Sequence, residues 1–440
     1  MAYEINGTHD PAIESWVDSA NNPETDFPIQ NLPFGVYKRP GGVESVGVAI
    51  GDDIFDISAA FGMELFDGEA AQAARRCGGT QVHTLMAMGK HHWSALRLQL
   101  SNILRHDSTV GAKAFSRAVD LLVPQADCVM SKPIYIGDFT DFSASLYHAV
   151  RIREIAGAGS VLPENYKWLP IGYHSRSSSI VISGTQIRRP RAQSRIAPEN
   201  TPSYGKVAKL DFELEVGFLV GKGNKLGEPV TIEHADQHFF GACLLNDWSA
   251  RDAQSWEMQP LGPFVSKSYA TSMSPWIVTM EALAPYRTNA TVRPAADPQP
   301  LPYLSHPYDQ SHGAIDATLE AGLRSQAMRE SGASADRICI TQLKDLYWTP
   351  AQLLTHQTSN GCNLRYGDLI GTGTTSGAAA SERASMLEIT TDGAHPLTLS
   401  TGERRSYLVD GDEVILKGWC TREGYRKIGF GECRGIVIGT

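Results

Sequence analysis

The run Asp211-Phe212-Glu213-Leu214-Glu215 constrains this chain most, because its alternation of polar and apolar residues reads as a strand. Residues i and i+2 of a strand project to one side, so Glu213 and Glu215 share a face while Phe212, Leu214 and Val216 turn to a core. Two adjacent carboxylates repel each other. Either that face lies in water, as in an ordinary amphipathic strand, or another part of the chain compensates the charge.

The chain has 440 residues, enough for one large domain and a smaller one. Hydrophobic residues make up 42% and charged residues 20%, with 41 Gly and 24 Pro, which fits a loop-rich globular protein with much β-structure. The net charge is −9 and no long basic run with interleaved aromatics occurs, so nucleic acid is not an expected partner. The apolar stretches fall short of the roughly 20 residues a membrane span needs. Residues 1–24 lack the basic start and apolar core of a signal peptide. The seven cysteines (Cys77, Cys128, Cys243, Cys339, Cys362, Cys420 and Cys433) are dispersed and never form Cys-x-x-Cys. Free thiols in a reducing compartment are therefore expected, and a cytoplasmic location with them.

Residues 1–25 read as a flexible N-terminal arm. Short apolar runs follow at Phe34–Tyr37, Val46–Ile50 and Ile54–Ile57, separated by Gly/Asp turns, and predict a small β unit. Residues 69–121 are expected to be mostly helical, from the apolar spacing in Ala95–Leu100 and Ala114–Leu122. Pro124 closes this region, placing a domain boundary near 128. The remainder, 129–440, alternates short strands with turns; further strand signals occur at 179–183, 216–220, 314–321, 338–341, 385–390, 406–416 and 434–438. The Pro-rich stretch 293–308 reads as a loop inside this unit. The expected fold class is mostly β (α+β), with a large β-rich catalytic body.

Three further clusters carry possible chemistry. Asp141 is followed by His148, which read alone is a capping Asp before a helix with an ordinary His. In Asp247-Trp-Ser-Ala-Arg251-Asp-Ala-Gln254, with Met258 beyond, a helix would align Asp247, Arg251, Gln254 and Met258 as one stripe. The bland alternative is a solvated ion pair; the apolar approach Cys243-Leu-Leu and the following Pro260–Lys267 segment favour a pocket. Gly371-Thr-Gly373-Thr374-Thr-Ser376-Gly377 allows close backbone approach to a ligand but is neither a P-loop nor a dinucleotide fingerprint. No Gly-x-Ser-x-Gly elbow, His-Glu-x-x-His or cysteine-nucleophile signature occurs.

Taken together, these segments resemble the fumarylacetoacetase family over nearly the whole chain from about residue 25. The resemblance rests on Asp26–Gly35, Gly172-Tyr173-His174, Ser183-Gly-Thr185, Phe212–Glu215, Asn246–Asp252, Pro260–Phe264, Asn360–Arg365, Ser385–Glu388 and Leu408–Val414. It implies a small SH3-like N-terminal domain with helices (26–128), a β-rich catalytic domain (129–440), a homodimer, and hydrolysis of a carbon–carbon bond in a β-diketone. It implies divalent metal ligands at Asp141, Glu213, Glu215 and Asp247, with Lys267 and Thr271 completing that site. An all-carboxylate set suits a hard cation, Mg²⁺ or Ca²⁺. It further implies His148 as general base oriented by Glu388. Arg251, Gln254 and Lys267 would stabilise developing negative charge, and Ser143, Tyr173, Met258, Gly373 and Thr374 would stand at substrate-contacting positions.

Departures from the family pattern fall on the recognition shell. Ser143 and Met258 stand where tyrosines are usual, Gly157 where an arginine is usual, Ala270 where a glycine precedes Thr271, and Ser175 where a glycine follows His174. A charge-assisted bond is worth roughly 1.5–3 kcal/mol, so losing such an arginine predicts binding weaker by about one to two decades unless Arg151 or Arg153 substitutes. Two alternatives remain at this level. A decarboxylase or dehydratase of 2-oxo acids is a typically shorter chain without the His148/Glu388 pair, and a non-catalytic binding homologue would have lost metal or base residues.

Overall fold

The computed structural model describes residues 3–195 and 201–439. Its centre is the strand Leu214–Val220, paired antiparallel with Phe239–Asp247 on one side and Leu369–Gly371 on the other. The full sheet runs in the order Gly172–Ser175, Phe139–Phe142, Leu369–Gly371, Leu214–Val220, Phe239–Asp247, Thr271–Met273, Ile180–Ile182, with Val278–Thr279 paired to the start of Phe239–Asp247.

The period-2 alternation sends the two sets of side chains to different cores. Phe212, Leu214, Val216 and Phe218, with Ala242 and Leu244, face a second sheet ordered Asp336–Gln342, Thr318–Arg324, Glu413–Cys420, Ile428–Ile438, Gln186–Arg188. Leu319, Ala321, Leu416 and Phe430 of that sheet complete the core. The layers touch closely at Gly418, where a Cβ would lie 3.0 Å from both Leu244 and Leu319. Trp248, fully buried, seats its ring against Gly435 and donates from Nε1 to Ser272 Oγ at 2.9 Å.

The opposite face of the central sheet is divided. At one end Phe139, Leu219, Cys243, Leu245, Met273 and Leu369 join the core of the N-terminal unit. At the other end the same face carries Asp141, Glu215 and Asp247, contributed by three different strands. The N-terminal unit is an antiparallel sheet ordered Leu122–Pro124, Asp53–Asp56, Glu44–Ile50, Phe34–Lys38, Val129–Ser131. Helices Gly68–Arg76, Lys90–Leu104 and Thr109–Phe115 fall inside the region expected to be helical. Phe34 and Ile277 exchange two backbone hydrogen bonds, of 3.0 and 2.8 Å, and so stitch this unit to the catalytic one.

Four expectations change. Residues 3–25 are packed rather than flexible: Trp16, Val17 and Ala20 are buried, Trp16 Nε1 donates to Ile103 O at 2.7 Å, and Arg97 Nε donates to Thr8 Oγ1 at 3.0 Å. The stretch 385–390 holds a one-turn helix, Met386–Ile389, capped by Ser385, because Asp211 accepts the amides of Met386 (2.6 Å) and Leu387 (3.0 Å). The strand expected at 406–416 begins only at Glu413, after a turn in which Asp412 N donates to Val409 O. Asp247 does not share a helix with Arg251 and Gln254: it ends the strand Phe239–Asp247, and the helix starts at Arg251.

Candidate active site

Glu213 and Glu215 are both buried, so the wet-strand alternative fails. The compensation the charges require is present and unequally shared. Glu213 Oε1 accepts from Arg251 Nη2 at 2.7 Å, and its Oε2 accepts a short bond from Lys267 Nζ. Burial alone would raise this acid; Lys267, Arg251 and His148 outweigh burial and hold it well below the usual carboxylate range.

Among the described residues neither oxygen of Glu215 has a partner, nor has Oδ1 of Asp141, although all three atoms are fully buried. One oxygen each from Asp141, Glu215 and Asp247 lies within 4.8 Å of the others. Burial, then the charge of Asp247, pushes Asp141 up to about 7, and burial with the charges of Asp141 and Asp247 raises Glu215 well above its ordinary value. Gly371 makes room for the group: a Cβ there would sit 2.7 Å from Asp141 Oδ1 and 3.4 Å from Glu215 Oε2. Orphaned buried carboxylate oxygens converging on one point are what a hard divalent cation satisfies, so the residues fit such an ion.

The structure therefore brings together three of the four expected ligands and places Glu213 beside them on the cationic side. Lys267 Nζ also donates to Asp247 Oδ2 at 2.8 Å, and Thr271 Oγ1 donates to Asp247 Oδ1 at 2.7 Å. Burial lowers the Lys267 pKa, but Asp247 and Glu213 more than restore it, so the group stays an ammonium. An ammonium has no lone pair to offer a metal; Lys267 orients Asp247 instead, and the Thr271 hydroxyl holds the other oxygen of the same carboxylate. Tyr173 Oη donates to the same Asp247 Oδ2 at 3.1 Å, which ties this expected substrate contact to the acidic cluster.

His148 lies on the helix Leu146–Ile155, whose cap is Ser145. Its Nδ1 is 2.8 Å from Glu388 Oε2, which also accepts from Ser376 Oγ (2.7 Å) and Ser385 Oγ (3.0 Å). Burial raises Glu388, yet His148 and the two serines hold it down at about 2, so it is an acceptor only and Nδ1 carries the donated proton. Nε2 is thereby left as the basic nitrogen, 3.8 Å from Glu213 Oε1 and so at the edge of the acidic cluster.

Arg251 is completed by Asp211, which accepts from its Nε at 2.8 Å, and by Gln254 Oε1, which accepts from Nη1 at 2.9 Å. That second bond takes the amide oxygen of Gln254 and leaves its NH₂ as the donor group. Gly373 sits at φ 72 with a would-be Cβ 1.9 Å from Phe142 O, a position only glycine fills. Thr374 is buried beside it, and Ser143 presents its carbonyl to Tyr166 Oη at 2.7 Å. Met258 caps the helix Arg251–Glu257 and is exposed.

Gly157 has a structural role in place of an arginine: it is the left-handed stop of the His148 helix, donating to Glu154 O while Ala158 N donates to Arg153 O. Arg153 is spent on the backbone carbonyls of Val161 and Ala158. Among the residues that sequence reading missed, Asp211 is part of the opening motif and Ser376 and Ser385 flank expected positions. Ser385 lies only three positions from Glu388, but Ser376 meets it from 12 away and Asp211 meets Arg251 and Met386 from 40 and 175 away, which spacing alone does not reveal.

Comparison with known proteins identifies the family. Residues 140–438 match the family model described as fumarylacetoacetate (FAA) hydrolase C-terminal, and residues 30–133 match fumarylacetoacetase N-terminal. The chain is 42% identical to the fumarylacetoacetase of Rattus norvegicus over 94% of its own length and 97% of the relative's. It is 43% identical to that of Caenorhabditis elegans, with 97% and 99% covered. Among solved structures, the fumarylacetoacetate hydrolase of Exiguobacterium antarcticum shares the fold at 17% identity and a TM-score of 0.50, covering 93% of this chain and 100% of that one. Two domain models spanning the chain and full-length relatives at this identity place it in the fumarylacetoacetase family.

Proposed function

We propose that this chain is a hydrolase that cleaves a carbon–carbon bond of fumarylacetoacetate, giving fumarate and acetoacetate. The observation that carries the reading is the buried His148–Glu388 dyad set at the edge of the Asp141/Glu215/Asp247 cluster. His148 Nε2 takes a proton from the water that attacks the substrate carbonyl, and Glu388 holds the resulting imidazolium in place. The same proton is then returned to the carbanion as the carbon–carbon bond breaks, so water is added across the two fragments. Lys267, Arg251 and the Gln254 amide supply fixed positive charge and a donor for the developing oxyanion, already oriented by their carboxylate partners. A divalent cation, Mg²⁺ or Ca²⁺, held by Asp141, Glu215 and Asp247 with Glu213 beside them, would polarise the diketone oxygens as a Lewis acid.

Ser143, Met258 and the loop after Gly373 line the recognition side, and the Gly157 stretch carries no guanidinium for a substrate carboxylate. A raised KM for fumarylacetoacetate relative to family members with the usual arginine follows. We further place the domain boundary near 128, and assign a homodimer in the cytoplasm. No helix among the described residues is long and apolar enough to cross a membrane. Turnover of the purified protein with Mg²⁺ on fumarylacetoacetate, beside neutral and aryl β-diketones, tests the assignment. Cleavage of fumarylacetoacetate is expected; turnover of the neutral diketones alone would refute the substrate, and a fully active Glu215→Gln variant would refute the cation role.

A further inference from the structure

Arg151 lies one turn beyond His148 on the helix Leu146–Ile155, the i,i+3 spacing that puts two side chains on one face. The two residues reach the same carboxylate from different sides. Glu388 Oε2 is filled by His148 Nδ1 and the Ser376 and Ser385 hydroxyls. Glu388 Oε1 accepts, among the described residues, only from Arg151 Nη1, at 3.3 Å. The other end of the guanidinium, Nη2, donates to the carbonyls of Gly377 (2.7 Å) and Ala378 (2.6 Å), on the loop that follows Gly373 and Thr374.

We propose that Arg151 is a positioning residue of the dyad, clamping Glu388 and the 373–378 loop to the His148 helix, and that it is not a ligand for substrate. This rests on the reading of His148 as the base. A carboxylate held at one oxygen can rotate about its terminal bond; held at both, it cannot. Glu388 is wholly buried, so water does not replace a partner lost from Oε1. Without Arg151, Oε1 turns toward the same hydroxyls that fix Oε2, and the imidazole loses its fixed direction. The guanidinium fork is already spent on one carboxylate oxygen and two carbonyls, which leaves little of it for a substrate carboxylate. The planar five-donor group suits this three-way junction; an ammonium would reach one arm of it.

The test is steady-state kinetics of Arg151→Met, Arg151→Lys, Glu388→Gln and the Arg151→Met/Glu388→Gln double variant on fumarylacetoacetate, with circular dichroism to show that each is folded. A misplaced catalytic group costs on the order of 100-fold, so kcat is expected to fall about 10- to 100-fold in Arg151→Met and less in Arg151→Lys, with KM changed under about threefold. Because Arg151 acts through Glu388, its loss in the Glu388→Gln background should cost little more than Glu388→Gln alone. A KM raised tenfold at unchanged kcat would overturn the proposal in favour of a substrate ligand. Fully additive losses, or full activity in Arg151→Met, would overturn it as well. If Arg151→Met does not fold, Arg151→Lys alone and combined with Glu388→Gln gives the same decision. His148→Ala separates the two levels: its full activity would refute the base, whereas an inactive His148→Ala beside a fully active Arg151→Met would refute Arg151 alone.

Discussion

Glu215→Gln makes opposite demands on the protein with and without a cation. Without one, Glu215 is a fully buried acid with no partner on either oxygen among the described residues, next to two other carboxylates. At 4.8 Å and an effective dielectric near 20, each ionised pair repels by about 3.5 kcal/mol. Burial and the charges of Asp141 and Asp247 raise the folded pKa of Glu215 well above the ordinary value, which favours the protonated form. The sign follows from linkage: an acid whose folded pKa is raised loses stability as pH climbs past its unfolded value. At about pH 7.5, roughly three units above that value, holding the proton costs up to about 4 kcal/mol, at 1.36 kcal/mol per unit. Glutamine needs no proton and is spared that cost. In chelator near pH 7.5 the variant should therefore melt higher than the parent. With about 2.1 cal/mol/K per residue over 440 residues, that upper limit corresponds to a gain of at most roughly 4 °C. The gain should fade toward pH 4.5. Added Mg²⁺ should raise the parent's Tm by binding the folded state and raise the variant's much less, because a charged ligand is gone. Differential scanning fluorimetry across pH, with and without Mg²⁺, reads all of this. A variant that melts lower in chelator at every pH would refute the reasoning.

Three other outcomes are expected. Gly371→Ala places a methyl 2.7 Å from Asp141 Oδ1 and should weaken Mg²⁺ binding at least tenfold by isothermal titration, with an overpacking cost of about 1–3 kcal/mol in urea melts; unchanged affinity would show that the cation sits elsewhere. Lys267→Met leaves Glu213 and Asp247 without their buried cation and should cost about 3–5 kcal/mol of stability as well as activity; a melt like the parent's would show the pair to be dispensable. Asp309, far from this site, is pushed up to about 6 by burial, against 3.8 unfolded, while Thr349 donates to it at 2.7 Å. Stability should fall as pH rises from 3.8 to 6, and Asp309→Asn should remove that slope and gain about 3 kcal/mol near pH 8, at 1.36 kcal/mol per unit. Urea melts at pH 4 and pH 8 check it.

The alternation in 211–216 was legible because a strand's period belongs to its own residues: Phe212, Leu214 and Val216 enter one core while Glu213 and Glu215 turn away, although the regular strand begins only at Leu214 and Asp211 pairs with Ser249 in a separate short strand. The division of labour between those two acids was not, since both are carboxylates in one short run. Only the arrival of Arg251 and Lys267 at Glu213, 38 and 54 residues away, sets it apart from Glu215. Arg251 and Gln254 do share a helix, but Asp247 satisfied its spacing by coincidence. Strand pairing holds the chain extended through Asp247, where Thr271 stands opposite it, and the helix begins four residues later. The first 25 residues look like a solvated arm by composition. Their burial depends on acceptors and donors at Ile103 and Arg97, partners of a kind that a local reading does not supply.

The stitched interface between the two units has a consequence for synthesis. The N-terminal unit leaves the ribosome first, yet its core includes Leu219, Phe240, Cys243, Leu245, Met273, Ile277 and Leu369. At about 5–20 residues per second, the last of these emerges roughly 10–50 s after residue 133. Throughout that interval Phe34, Trp93 and Leu96 have no complete apolar counterpart. The unit cannot mature as a free-standing module, and a nascent chain truncated before residue 369 would present this face to chaperones or to other copies of itself.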